Sequence, residues 1–209
     1  INIALMNEVS QLFNELNIDT WKVLETAKTK WNFNNYYPGL VGGHCIGIDP
    51  YYLAFKANSI GLSPDLVLGA RSINENYSKF IVSKILKQLA IDNLILGKTK
   101  VVLFGLTFKS NVSDLRNSKV FDLIKGLNDY GIKIDILDPN VNMELRFDSH
   151  LNRMVSINKL SLTKYTAAIY AVDHDDFDAL KPDLYSEFNA KKIKLFDITG
   201  KLERFSWRV

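Results

Sequence analysis

The apolar residues of this chain change their period once, close to Gly97, and that change limits what it can fold into. Ahead of Gly97, Ile3, Leu5, Met6, Val9, Leu12, Phe13 and Leu16 recur at helical spacing, and Asn17 offers a stop. Asp19 or Thr20 can cap a second helix that carries Trp21, Val23, Leu24 and Ala27. Residues 51–58 read as another helix. Ser63-Pro64-Asp65 opens a long one, in which Leu66, Val67, Leu68, Ala70, Ile73, Tyr77, Phe80, Ile81, Ile85, Leu86 and Leu89 keep the helical period. Its apolar residues fall on more than one face, which a thin helical layer cannot bury by itself. The expectation is a symmetric homodimer through these helices.

After Gly97 the apolar runs are short. Lys100-Val101-Val102-Leu103-Phe104-Gly105-Leu106 is nearly continuous, as suits a strand buried on both faces. Residues 118–130 read as a helix closed by Gly131. Lys133-Ile134-Asp135-Ile136-Leu137-Asp138-Pro139 alternates, and residues 167–172 and 193–198 supply two further strands. Strands separated by helical segments predict an α/β unit with a parallel sheet. The expected division is a helical segment over 1–96 and an α/β domain over 97–209. In such sheets ligands bind beyond the carboxyl ends of the strands. Phe108, Lys109 and Arg116 fall in the loop after the first one.

Composition excludes several classes. A formal charge of +3 with interspersed signs gives no basic tract for nucleic acid. Three histidines and one cysteine do not make a zinc site of usual spacing, so no metal is expected. A single cysteine permits no internal disulfide, consistent with a cytoplasmic protein. No apolar run approaches the ~18 residues of a membrane span. Residues 1–9 begin in mid-helix without a cap, and no Gly-x-Gly-x-x-Gly follows a strand. The expectation is the C-terminal part of a longer protein.

The chemistry concentrates in Pro38-Gly39-Leu40-Val41-Gly42-Gly43-His44-Cys45-Ile46-Gly47-Ile48-Asp49-Pro50-Tyr51-Tyr52. The only thiol of the chain follows a glycine-rich run that lets backbone approach a ligand, and a carboxylate stands four residues later. Cys45 so framed reads as a placed nucleophile rather than a buried structural cysteine. Asp49 would lie beside it if the chain turns helical there. Its alternative is to cap the helix that begins at Pro50.

This segment resembles the nucleophile loop of the UDP-glucose/GDP-mannose dehydrogenase family, most closely the branch that oxidises UDP-N-acetylhexosamines. Gly105-Leu106-Thr107-Phe108-Lys109, with Asp114-Leu115-Arg116-Asn117-Ser118, is similar to the start of that family's nucleotide-sugar domain. The resemblance implies a central helical dimerisation segment followed by a Rossmann-like UDP-sugar-binding domain. It implies a cytoplasmic NAD-dependent enzyme that makes uronic acids for capsule or O-antigen through a Cys45 thioester. Asp49 would then organise the hydrolytic water. Tyr36, Tyr37, Gly39, Val41 and Gly42 match sugar-nucleotide contacts, and Phe108 and Lys109 match the diphosphate or uracil side. Cys45, Ile46, Gly47 and Ile48 match positions near the nicotinamide, and Arg116 a position that reaches the cofactor.

His44 reads as structural or substrate-contacting, because adjacent side chains usually point apart and other members of the wider family carry a small residue there. Arg71 can bind substrate or make helix ion pairs. Gly200-Lys201 stands where other members of that family have an arginine near the substrate. The family's remaining catalytic Lys, Asn and Glu have no counterpart in these residues, so the 209-residue chain alone is expected to be inactive. The other reading is a nucleotide-sugar-binding or dimerisation module without chemistry.

Overall fold

The computed structural model describes every residue except Asp148. Four helices come first: α1 (Asn2–Glu15), α2 (Thr20–Ala27), α3 (Asp49–Ser59) and α4 (Asp65–Ile91). The helix α1 stops where Asn17 takes a φ of 56°, and Asp19 caps α2 by accepting from the N–H groups of Trp21 and Lys22. Then β1 (Lys100–Phe104), α5 (Val120–Asn128), β2 (Lys133–Leu137), β3 (Asn152–Met154), β4 (Ala167–Tyr170), α6 (Lys181–Asn189), β5 (Lys194–Asp197) and β6 (Trp207–Arg208) follow.

All strand pairs are parallel, in the order β3-β2-β1-β4-β5-β6. The chain works outward from β1 to β3, returns, and works outward again from β4. Between β1 and β4 the connections therefore diverge and leave a crevice beyond their carboxyl ends. Alternate residues of β1 feed different cores. Val101 and Leu103 pack with α4 and α5, whereas Val102 and Phe104 pack with Phe177 and Leu184 on the other face. A strand with two buried faces must be apolar throughout, as its sequence is.

Two readings of the helices need correction, and within the sheet the polar member of β2, Asp135, is buried. Lys100 Nζ (2.9 Å), Arg153 Nε (2.8 Å) and the Tyr165 hydroxyl (2.8 Å) hold it. The multi-faced apolar helix α4 is covered within the chain, by α1 on one side and α5 on the other, so its middle is not the exposed surface. Exposed apolar side chains gather instead on α3 and the turn into α4, at Tyr52, Leu53, Phe55, Ile60, Leu62 and Leu66. Finally, α1 buries Ala4, Asn7 and Ser10 and exposes Leu5, Leu12 and Leu16. Small residues let α1 approach α4 closely, and Ser10 Oγ lies 2.6 Å from the Tyr77 hydroxyl.

The short strand β6 ties the sheet back to the first helices. Trp207 Nε1 donates to Asn14 Oδ1 (2.8 Å), and Arg208 Nη2 reaches Asp19 (2.7 Å). No helix among the described residues is long and apolar enough to cross a membrane.

Candidate functional site

Two clefts share one loop. The sheet cleft, of about 220 Å³, lies in the β1/β4 crevice and is walled by Gly39, Gly42, Thr107, Phe108, Lys119 and Lys201. The helix cleft, of about 480 Å³, is walled by Cys45, Ile46, Asp49, Leu53, Arg71 and Asn74. Gly42 and Cys45 are three residues apart, so the clefts stand within roughly 11 Å along the chain.

The loop is fixed from both sides. Asn7 of α1 accepts from the Gly39 N–H (2.8 Å) and donates to the Gly39 carbonyl (3.1 Å) and to Asn74 Oδ1 (3.0 Å). Across the loop, Asn117 Nδ2 donates to the Gly43 carbonyl (3.1 Å), and the Gly43 N–H donates back to the Asn117 carbonyl (3.3 Å). Gly43 has a φ of 88°, and any Cβ there would meet the Phe108 ring at 2.9 Å. A glycine is required.

Cys45 is exposed and begins a helical turn, since its carbonyl accepts from the N–H groups of Ile48 (2.9 Å) and Asp49 (2.8 Å). Thiol and carboxylate thus stand one turn apart on one wall. The capping alternative for Asp49 fails. Ile48 holds the cap position without a side-chain bond, and Asp49 lies in the first turn of α3, where the helix dipole favours its charge.

The sheet cleft owes its shape to backbone. Gly105, at a φ of 85°, packs on Val172, and a Cβ there would lie 2.4 Å from Val172 Cβ. Beyond it, His174 is wholly buried and joins three loops. Its Nδ1 accepts from the Asn111 N–H (2.9 Å), which leaves the ring proton on Nε2 for Asp138 Oδ2 (3.1 Å). The same oxygen accepts from the N–H groups of Leu106 (2.6 Å) and Thr107 (3.2 Å). Burial pushes the Asp138 pKa up, but the His174 and backbone hydrogen bonds outweigh it and hold the carboxyl below its ordinary value.

The other predicted residues are dispersed. Tyr37 stacks on Trp21 at 5.0 Å, Tyr36 is exposed, and Val41 is buried beneath the loop, so none of the three walls the sheet cleft. Lys109 lies over the Phe108 ring, 5.4 Å from its centroid, and is likewise off the wall. Arg116 grips Asp114 through Nε (3.0 Å) and Nη2 (2.6 Å) and otherwise faces solvent. Those hydrogen bonds hold the Asp114 carboxyl at about 2. His44 Nδ1 lies 3.7 Å from that carboxylate.

Sequence reasoning missed Lys119, Asn7, Asn117 and His174. Lys119 is buried at the sheet cleft, bound to Glu75 and to Asp122 (3.1 Å). Burial opposes its charge, yet these carboxylates outweigh burial and raise its pKa. The only available signal for Asn7 was a polar residue inside an apolar helical stretch. No group of side chains suited to a metal ion occurs among the described residues.

Residues 1–76 match the model of the UDP-glucose/GDP-mannose dehydrogenase family central domain, and residues 102–204 that of the same family's UDP binding domain. A UDP-N-acetyl-D-glucosamine 6-dehydrogenase of Pseudomonas aeruginosa is 40% identical over 97% of this chain and 48% of its own length. Protein CapL of Staphylococcus aureus is 41% identical over 96% of this chain and 46% of its own. The solved UDP-N-acetyl-mannosamine dehydrogenase Cap5O from S. aureus superposes with a TM-score of 0.72 at 28% identity, over 100% of this chain and 46% of that one. The chain spans about half the length of the curated relatives it matches.

Proposed function

The chain belongs to the UDP-glucose/GDP-mannose dehydrogenase family, and on that premise we propose that it is the substrate-holding part of an NAD-dependent UDP-N-acetylhexosamine 6-dehydrogenase serving surface polysaccharide such as capsule. The observation that carries the reading is the pair of clefts on one loop. A nucleotide diphosphate in the sheet cleft, against Gly42, Phe108 and the start of α5, presents its sugar to Cys45 in the helix cleft.

These residues hold no Gly-x-Gly-x-x-Gly turn and so no pyrophosphate cradle for NAD. What fits is the rim, where Ile46 and Ile48 expose apolar surface beside Cys45 and Arg116 stands in solvent. Two molecules of NAD, bound in turn, would supply the hydride acceptors that take a primary alcohol to the carboxylate level. The chain's own residues do the rest. Cys45 Sγ, as thiolate, adds to the aldehyde carbon and keeps that carbon on the protein. The adduct is a thiohemiacetal, and once it has given up its hydride a thioester remains on Sγ. Asp49, one turn away, takes a proton from the water that opens it, which frees Sγ and leaves a carboxylate.

In a protein that contains this chain and its dinucleotide domain, Cys45→Ser stops uronate formation by at least about 10³-fold while UDP-sugar affinity stays within twofold. Unchanged turnover removes Cys45 from the mechanism. The 209 residues by themselves bind UDP-sugar at most weakly and do not turn it over, because hydride transfer depends on the nicotinamide being held against the sugar carbon.

The exposed apolar surface of α3 and the turn into α4 is assigned to a second copy of the chain in a homodimer. A monomeric mass by sedimentation at micromolar concentration overturns that assignment.

A further inference from the structure

Arg71 is an expensive residue in its present setting. It lies on α4, is only 3% exposed, and lines the helix cleft together with Cys45 and Asp49. Glu75, one turn along, takes its Nη2, and the Tyr51 ring lies 5.5 Å from the guanidinium carbon. Its buried Nε–H has no partner among the described residues. A charged donor left unpaired in a buried position carries a penalty that a ligand oxygen can remove. Glu75 does not cancel the charge, because its second oxygen is engaged by Lys119. Asn74, on the same wall, has its carbonyl oxygen committed to Asn7, so only its amide N–H groups remain for a ligand. The α4 side of the cleft is therefore rich in donors.

We propose that Arg71 is the floor of a carboxylate subsite beside Cys45, with Glu75 as the residue that positions it. A planar guanidinium fork suits a carboxylate better than a point charge would. The subsite itself rests on the cleft's geometry. Its occupant, the C6 carboxylate of a UDP-hexuronate, rests on the function proposed above. Asp49 shares the cleft and opposes an anion, so the subsite works through short-range hydrogen bonds rather than through net charge.

The thiol provides a test that needs no turnover. Cys45 in the folded 209-residue chain is alkylated with iodoacetate, which carries a carboxylate, and with neutral iodoacetamide, and the rate ratio is compared with that of the urea-unfolded chain. Thiolate fraction cancels in the ratio, and each variant is read only after its circular dichroism and urea midpoint show it folded, because an unfolded variant would also lack the preference. The folded chain is expected to favour iodoacetate by about fivefold over the unfolded one, or ~1 kcal/mol. Arg71→Gln abolishes that preference, Arg71→Lys retains part of it, and Asp49→Asn increases it. Equal ratios in the folded wild-type chain and Arg71→Gln overturn the subsite. Calorimetry with UDP-glucuronate against UDP-glucose then tests the occupant. Arg71→Gln should weaken the uronate alone, and equal weakening of both overturns the carboxylate assignment while leaving the alkylation result standing.

Discussion

The sheet cleft and the helix cleft are held open by different means. Around the sheet cleft, the crevice exists because of strand order, and its walls are backbone: Gly105 against Val172, and three loops fastened to His174 and Asp138. Around the helix cleft, no hydrogen-bonded ladder runs between the helices among the described residues. Polar side chains do the joining, through Asn7 with Gly39 and Asn74, and through Arg71 with Glu75. A binding surface made by topology tolerates side-chain change and fails when backbone is disturbed. A surface made by side chains behaves the opposite way, and its failures stay local.

The largest expected effect breaks the first half of that contrast. Gly105→Ala forces a side chain into a positive φ and into Val172, and should lower unfolding stability by about 3 kcal/mol in urea titrations. A loss below about 1 kcal/mol would mean that the crevice yields and is not set by backbone. Next in size, Asn7→Ala removes the hydrogen bonds that seat Gly39 and should lower stability by about 2 kcal/mol. Its signature is local: Cys45 alkylation by iodoacetamide quickens, while amide exchange in β1 and β4 is unchanged. Faster exchange in the sheet would show that the two clefts are one cooperative unit.

The smallest effect sharpens the comparison through pH. The Asp138 carboxyl titrates below its unfolded value, so its contribution is present above about pH 3.9 and is lost as pH falls through its folded value. Asp138→Asn should flatten the acid limb of the stability curve there. An unaltered acid limb would show that the three-loop lock does not depend on that charge.

What the sequence made legible follows from the same division. The strand β1 could be read directly, because burial on both faces leaves an unbroken apolar run. The loop at Cys45 was legible because glycines and a unique thiol are local signals. By contrast, β3 and β6 have three and two residues, too short for any periodicity. The face of α1 was misjudged because its packing rests on Asn7 and Ser10, whose partners Asn74 and Tyr77 each lie 67 residues away. His174 was invisible for a similar reason, since Asn111 is 63 residues upstream. A side chain whose role is set by a distant partner leaves no pattern in its own neighbourhood.

The contact between Arg208 and Asp19 spans 189 positions of sequence. Closing so long a loop exacts its entropy before any reward arrives, so this pairing belongs among the late events of folding. The strands, β6 included because it pairs with β5 only eleven residues back, can assemble from nearer contacts, and the ends of α1 and α2 dock on β6 afterwards as a latch. Refolding should therefore restore the secondary-structure signal before it restores the fluorescence of Trp207, which leans on Phe80 of α4 with ring centres 6.4 Å apart. During that interval β6 is an edge strand without the helices that brace it, and it is open to a neighbouring chain.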